Sequence, residues 1–256
     1  MKLINEKDIF LLSELVRKNF SSQYKDSFLG IIWSVLHPLL MVITLTIIFS
    51  TLLGRNIENY PVYLLAGRTI FRYFTGTVGS SMNVLRSNKS ILTTNPAPKH
   101  IFVLARVISA FVDFIISFVL LIVIMIITNA PFHFETMHLA IIPAITLVIA
   151  TTGMSLIMSV ATVYYTDIKY LWSVVVQLLL YTSAVFYSMD AVPEPYHQYL
   201  LLNPLFWLID QFRDFMLYGI VHDPLNVINS IILSFIILII GIVVFKKCEN
   251  NLIIRL

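Results

Sequence analysis

Six long apolar stretches alternate with short polar segments along this chain. A helix needs about 20 apolar residues to cross the hydrocarbon core of a bilayer, and each stretch comes close to that length. The pattern therefore predicts an all-α membrane protein with six transmembrane helices. The predicted spans are approximately residues 31–53, 61–85, 101–128, 139–163, 170–189 and 225–245.

Two of the predicted spans contain side chains of Arg or Asp, which are charged at neutral pH. The second span holds Arg68 and Arg72, and the third holds Arg106 and Asp113. A charged side chain at the bilayer centre costs about 2.5–3.5 kcal/mol on insertion scales, so such residues usually face a cavity or a polar partner. We expect Asp113 to lie against a polar partner or a protein-lined cavity.

The polar N-terminal segment carries a helical pattern. Ile9, Leu12, Val16 and Phe20 recur at spacings of three and four residues, with charged residues elsewhere around the helix. This pattern predicts an amphipathic helix that lies in the membrane interface. A helix that packs on a soluble partner is the alternative. The predicted division of the chain is a cytoplasmic segment, residues 1–30, and a transmembrane domain, residues 31–256.

The segment 191–224 is apolar but is interrupted before it reaches a spanning length. Asn203 and Pro204 break it, and Asp210, Arg213 and Asp214 follow. Backbone that does not span is tolerated at membrane depth where protein or water surrounds it. We predict a re-entrant pair of short helices on the outer side. In this arrangement Asn203 caps a helix, Pro204 opens it, and the three charged residues face a vestibule or each other. An amphipathic loop lying flat on the outer headgroups is the alternative.

Composition supports the membrane class. Hydrophobic residues make up 58% of the chain and charged residues 12%, against about 25% charged residues in soluble domains. The net charge of +3 does not indicate nucleic-acid binding, because Lys and Arg gather at the ends of the apolar stretches. Cytoplasmic loops carry an excess of Lys and Arg, and this rule places both termini in the cytoplasm, with only Arg55 and Arg213 outside.

The motifs of common catalytic sites are absent from the sequence. No glycine belongs to a G-x-x-x-x-G-K-[ST] loop that would bind ATP phosphates, and no His, Cys or acidic cluster has metal-ligand spacing. The single cysteine, Cys248, excludes an internal disulfide. We predict no catalytic residue, metal or cofactor in this chain. A membrane enzyme or scaffold in envelope glycan synthesis is the alternative of a different class.

Four segments together resemble the ABC type 2 permeases that export polysaccharides, namely O-antigen, teichoic acid and capsule. They are "YKDSFLGIIWSVLHPLLMVITLTIIFS" at 24–50, "YPVYLLAG" at 60–67, residues 164–187, and residues 192–219. They follow the family's order and spacing over nearly the whole chain. The sequence departs from the family after "LLAG", where Arg68 to Phe74 replaces an apolar run. It also departs at Thr166, where arginine is frequent, and in the inner loop 87–102.

The resemblance implies a homodimer of six-span subunits in the inner membrane of a bacterium or archaeon. It also implies two cytoplasmic ATP-binding cassette subunits, which bind ATP and Mg²⁺, and a channel that passes an undecaprenyl-linked glycan outward. An exporter of a small lipid or drug from the same superfamily is the alternative within transport.

Several residues are candidates for the translocation path. Arg68 and Arg72 are four positions apart, so they project from one helix face, in the outer part of the membrane. We hypothesise that they meet phosphate or acidic sugar. The alternative is an ion pair with an outer carboxylate, for which the candidates are Asp190, Glu194, Asp210 and Asp214.

Aromatic side chains offer an apolar platform for sugars, and ordinary helix packing is the alternative for each of them. The aromatic candidates are Phe71, Tyr73, Phe74, Tyr181, Phe186 and Tyr187. Lys89, Tyr165, Asp167 and Lys169 lie in predicted cytoplasmic loops. By the resemblance, these four residues are the predicted contacts with the ATPase.

Overall fold

The computed structural model describes residues 6–24, 30, 32–52, 57–94, 97–221 and 224–255, and all regular structure in these ranges is helical. The first half of the chain forms α1 (Glu6–Tyr24), α2 (Ile32–Leu52), α3 (Tyr60–Ser81), α4 (Val84–Ser87), α5 (Lys89–Thr94) and α6 (His100–Ile127). The second half forms α7 (Phe134–Met137), α8 (Ile141–Tyr164), α9 (Ile168–Thr182), α10 (His197–Leu201), α11 (Pro204–Arg213) and α12 (Pro224–Arg255). A π-helical turn, Asp214–Tyr218, continues α11.

Four helical segments are long and apolar enough to cross a membrane: Ile32–Phe49, His100–Ile127, Phe134–Tyr164 and Pro224–Leu252. The predicted first, third, fourth and sixth spans fall on these segments. At 1.5 Å per residue, α3 is about 33 Å long, which matches the hydrocarbon core, but its arginines and hydroxyl side chains lower its hydropathy. The 15-residue α9 is about 22 Å long and is too short by itself.

Three predicted helix ends are wrong. The fifth span is predicted to end at residue 189, but α9 ends at Thr182. The helix stops there because Ala184 has a positive φ of 48°. The second span was to reach residue 85, but α3 ends at Ser81 and α4 is a separate turn. The sixth was to end at residue 245, but α12 continues to Arg255.

The main hydrophobic core forms around α3, most of whose residues are buried. Helices α6, α8 and α11 pack on it, and the fully buried side chains include Leu64, Ile70, Leu121, Phe212 and Met216. The helix at the centre of this core is less apolar than α2, α6, α8 and α12. This arrangement buries most of α3, while Arg72 remains exposed.

Helices α8 and α12 approach each other closely at two glycines. A Cβ on Gly153 would lie 2.6 Å from the backbone of Ile237, and a Cβ on Gly241 would collide with Gly153 itself. Small residues permit such close approach of helix backbones in membrane proteins. The pair is therefore held together by direct backbone packing.

A second hydrophobic cluster gathers both ends of the chain at one end of the bundle. It joins Leu15 of α1, Leu92 of α5, Phe102 of α6, Val160 of α8 and Leu252 of α12. Helix α1 contributes Leu11, Leu12, Leu15 and Val16 to this cluster. Ile9 and the adjacent Phe10 lie outside this cluster and are 56% and 68% exposed, and the position of α1 in the membrane interface stays a prediction.

Candidate functional site

A polar cavity of about 300 Å³ lies between α1, α3 and α6. Two facing helical stripes form most of its wall. On α3 the stripe is Thr69, Arg72, Tyr73, Gly76, Thr77 and Ser80, and on α6 it is Arg106, Ala110, Asp113, Phe114 and Ser117. Spacings of three and four residues place each set on one side of its helix. Asn19 and Ser22 of α1 complete the lining.

Hydrogen bonds fix the two arginines at the cavity wall. The Nε of Arg106 donates to the Ser80 hydroxyl at 2.8 Å, which joins α6 to α3. One terminal nitrogen of Arg72 lies 3.0 Å from Nδ1 of His37 on α2. The Asp113 carboxylate attracts the Arg106 guanidinium. The cavity therefore contains two cationic side chains and one carboxylate, and Asp113 lies beside a protein-lined cavity as predicted.

A smaller cavity, of about 240 Å³, lies between α2, α3 and α9. Arg68, Phe71 and Arg72 line it together with His37, so Arg72 borders both cavities. The Nε of Arg68 is buried and has no hydrogen-bond partner within the described part of the chain. The ionic neighbour that acts on Arg68 is Arg72, a like charge. No carboxylate is among the described residues that line this cavity, and the binding role of Arg68 stays a prediction.

The aromatic residues of α3 have packing roles. Tyr73 makes an edge-on contact with Phe114 at 5.4 Å, and its hydroxyl donates to the Val107 carbonyl at 3.4 Å. Phe74 contacts Trp172. Both are buried in the main core. The prediction that Tyr73 and Phe74 form an open platform for sugars is therefore wrong, while Phe71 borders the smaller cavity.

The aromatic residues near the end of α9 form a separate group. Phe186 stacks on Phe49 of α2 at 6.2 Å, and the Tyr187 hydroxyl donates to the Tyr181 carbonyl. Tyr181 itself is 58% exposed. The six predicted aromatic residues therefore do not form one continuous platform within one chain. Tyr181 has the largest exposed fraction among them.

Arg213 is a buried anchor between three segments. Its guanidinium donates to the Tyr63 carbonyl and hydroxyl, and to the carbonyls of Ala184 and Val185, at 2.8–3.3 Å. It also lies 3.5 Å from the centre of the Tyr63 ring, which permits a cation–π interaction. Gly67 leaves the space that the guanidinium fills. The prediction that Arg213 faces a vestibule is wrong, because only 3% of it is exposed.

Asn203 and Pro204 begin α11 as their sequence suggested. The Asn203 side-chain oxygen accepts from the Leu205 amide at 3.0 Å, and Pro204 occupies the first helical position. The Asn203 amide nitrogen donates to the hydroxyls of Thr182 and Ser183 at 3.0 and 2.8 Å. The cap therefore also binds the end of α9. Asp210 and Asp214 are partly buried along the same helix.

The four predicted ATPase contacts lie at the end of the bundle where α1 and the end of α12 pack: Lys89 and Lys169 are in the first turns of α5 and α9, and Tyr165 and Asp167 are in the loop before α9. Lys89, Tyr165 and Asp167 are exposed, and Lys169 is partly exposed. Nearby, the Lys18 amine donates to the Asn88 side chain at 3.3 Å and Arg86 donates to the Val163 carbonyl at 3.3 Å. These bonds join α1, α4 and α8, so segments far apart in sequence form one basic end surface.

The residues of the larger cavity were only partly foreseen. Arg72 was a candidate, whereas Arg106, Thr77 and Ser80 were not assigned to a site. The sequence signal that could have indicated this cavity is the repeat of small and hydroxyl side chains in the second predicted span, at spacings of three and four residues. The partner stripe on α6 is an Ala, Asp and Ser series that begins at Arg106.

Four apolar helical segments of spanning length, with an arginine-lined cavity between helices, are the features of an integral membrane protein. The chain belongs to the ABC-2 type transporter family, whose model matches residues 11–217. It is similar to the O-antigen export system permease protein RfbA of Klebsiella pneumoniae, at 25% identity over 93% of this chain and 92% of that protein.

Two further relatives have similar coverage. The O-antigen export system permease protein RfbA of Myxococcus xanthus is 24% identical over 79% of this chain and 78% of that protein. The polysialic acid transport protein KpsM of Escherichia coli is 21% identical over 87% of each chain. The family resemblance noted in the sequence is therefore confirmed.

Proposed function

We propose that this chain is the membrane-spanning subunit of an exporter that moves a lipid-linked polysaccharide from the cytoplasm across the inner membrane. The observation that carries the proposal is the alignment with an O-antigen export permease over 93% of the chain. The same alignment covers 92% of that relative, so the likeness extends over the whole transmembrane region. An undecaprenyl-linked glycan is the proposed substrate.

The proposed topology has six crossings with both termini in the cytoplasm. Four crossings are the long apolar segments, and α3 and α9 supply the other two. Helix α3 has the required length, and its arginines face internal cavities. Helix α9 completes its crossing with the irregular residues after Thr182. The cytoplasmic side is the end that holds Lys18, Arg86 and Lys99, in agreement with the positive-inside rule.

The segment from α10 through the π-helical turn is the proposed re-entrant region. Asn203 binds the end of α9 and Arg213 binds α3, so both ends of α11 are fixed inside the bundle. The ten-residue α11 is about 15 Å long, which is half of a bilayer core. It therefore enters the membrane without crossing it.

Energy for transport is proposed to come from two separate ATP-binding cassette subunits, which bind ATP and Mg²⁺ and contact the basic end surface. Lys89, Tyr165, Asp167 and Lys169 are the proposed contacts. A homodimer is supported by exposed apolar residues on α2 and α9, of which Ile47 is 67% exposed and Leu178 is 62% exposed. These faces suit contact with a second copy or with lipid, and the glycan channel would lie between the copies.

Deletion of the gene in its host tests the proposal. Surface polysaccharide should disappear and return when the full chain is supplied. The purified chain should copurify with an ATP-binding cassette subunit and should hydrolyse no ATP alone. Normal surface glycan after deletion, with a changed lipid or drug export instead, would assign the chain to the small-substrate branch. Chemical turnover of a glycan precursor by the chain alone would make it an enzyme.

A charge reversal tests the proposed partner contact. Asp167→Lys should weaken copurification of the ATP-binding subunit because it changes the charge of an exposed loop at the basic end surface. Glu135→Lys is the matched control, since Glu135 is an exposed carboxylate of α7, outside the proposed contact loops. Equal copurification of both variants would remove Asp167 from the contact.

A further inference from the structure

The cavity between α1, α3 and α6 has the size of a headgroup site. Its volume of about 300 Å³ is at the lower end of the range of about 300–1,000 Å³ for ligand pockets, so a polysaccharide chain does not fit. We propose that this cavity binds the phosphate group of a lipid from the cytoplasmic leaflet, with Arg106 as the anion-binding residue and Arg72 as a second positive charge on the cavity wall. The assignment of the leaflet rests on the topology in the proposed function.

The depth of the cavity matches a headgroup of that leaflet. Helix α6 has 28 residues and is about 42 Å long, which equals a bilayer with its headgroup regions. Arg106 lies about 9 Å from the start of α6, at the end of the bundle where both termini lie. Its guanidinium is therefore near the boundary between headgroups and hydrocarbon, where a lipid phosphate is located.

The charge of the cavity matches a single phosphodiester. Among the described residues that line the cavity, Arg72 and Arg106 contribute two positive charges and Asp113 one negative charge, which gives a net charge of +1. An unpaired charge is costly in a low-dielectric environment. A bound phosphodiester, with one negative charge, would make the cavity neutral. Guanidinium groups bind phosphate through two parallel N–H bonds, and the bonds to Ser80 and His37 involve one nitrogen of each arginine.

Neutral polar groups supplement the two arginines. Thr77 lines the cavity, only 2% of it is exposed, and its hydroxyl has no hydrogen-bond partner among the described residues. Buried hydroxyl groups nearly always have a partner, so a bound ligand would explain this one. Asp113 repels an anion, but it lies about 10 Å further along α6 than Arg106. It therefore favours a phosphate position at the Arg106 and Ser80 end.

Lipid binding to the purified full-length chain tests the proposal directly. Native mass spectrometry should show one bound undecaprenyl phosphate or phosphatidylglycerol per chain and little binding of undecaprenol, which has the same tail without phosphate. Arg106→Gln should weaken phosphate-lipid binding about tenfold or more, as expected for a hydrogen bond to a charged group. Arg72→Gln should weaken it less, because Arg72 lies about 12 Å along α3 from Ser80. Thr77→Val, which nearly keeps the side-chain volume, should weaken it about threefold.

Arg255→Gln is the control variant, because Arg255 is an exposed arginine at the C-terminal end of α12, outside the cavity. It should bind like the unaltered chain. Preference for undecaprenyl phosphate would identify the transported lipid as the source of the phosphate. Equal binding of phosphatidylglycerol would identify bulk lipid, and competition by millimolar inorganic phosphate would identify the free ion.

Two outcomes would overturn the phosphate site: equal binding of undecaprenol and its phosphate, or unchanged binding by the Arg106→Gln and Thr77→Val variants. Thr77→Val decides the question if an arginine variant fails to fold. The readout is binding by the isolated chain, whereas the proposed function is tested by surface glycan after deletion. Either proposal can therefore fail while the other stands.

Discussion

Replacement of Arg213 by methionine should destabilise the chain severely, although Arg213 lies in a short helix and its guanidinium binds the neutral groups of Tyr63, Ala184 and Val185. Methionine keeps much of the apolar stem and removes every guanidinium donor. The backbone carbonyls of Tyr63, Ala184 and Val185 would then lose the donor that binds them. These three carbonyls belong to α3 and to the segment after α9. The loss of their hydrogen bonds to Arg213 would therefore separate α11 from both.

The magnitude follows from the acceptors that are left behind. A buried polar group without a partner costs about 1–3 kcal/mol. The Tyr63 carbonyl keeps its hydrogen bond within α3. The carbonyls of Ala184 and Val185, at about 1.5 kcal/mol each, give about 3 kcal/mol. For chains of this length 1 kcal/mol shifts the melting temperature by about 2–4 °C. The expected decrease is therefore roughly 6–12 °C.

Thermal unfolding of the purified chain in detergent, followed by size-exclusion chromatography after heating, measures this decrease. Arg213→Lys should lose most of the same stability, because an ammonium group lacks the planar fork that binds several acceptors at once. Arg255→Met is the control, since the exposed Arg255 contacts only the Tyr164 ring among its observed partners, a contact of about 0.5–1 kcal/mol. An unchanged midpoint for Arg213→Met would refute the anchoring argument.

A double-mutant cycle with Gly67 isolates the close contact. A Cβ at position 67 would collide with the Arg213 guanidinium, so Gly67→Ala should be destabilising in the presence of Arg213. In the Arg213→Met background the more flexible side chain can move aside. The double variant should then be more stable than the sum of the two single effects predicts. Strict additivity would show that the two positions do not interact.

Two further predictions use the same thermal assay. Asn203→Ala should cost about 0.5–2 kcal/mol for the lost cap and more for the lost bonds to Thr182 and Ser183. Asn203→Asp, which keeps the cap acceptor, should be less harmful, and equal losses would argue against the cap. Gly153→Leu should separate α8 from α12, because even a Cβ there would lie 2.6 Å from the Ile237 backbone. Gly76→Ala is the matched control, since its Cβ would meet no neighbour within 4 Å, and an equal effect would contradict the close helix contact.

The helices α2, α6, α8 and α12 were predictable because each contains a long and predominantly apolar run, and hydropathy measures this property directly. The end of α9 was not predictable in this way. Apolar residues continue through Val185 and Phe186, yet the helix stops where Ser183 accepts a hydrogen bond from Asn203, twenty positions later. Similarly, α12 stays helical through its polar end, where the Lys99 amine binds the Glu249 carbonyl.

The arginines show most clearly what a linear pattern leaves undetermined. Hydropathy assigns Arg72, Arg106 and Arg213 the same cost in an apolar region and predicts only that each must be compensated. Arg72 and Arg106 border cavities, where a ligand can supply the missing charge. Arg213 is compensated by neutral carbonyls and by Tyr63, which is 150 positions away in sequence. Because the compensation depends on such distant contacts, the fold decides which arginine anchors a helix and which one can bind a ligand.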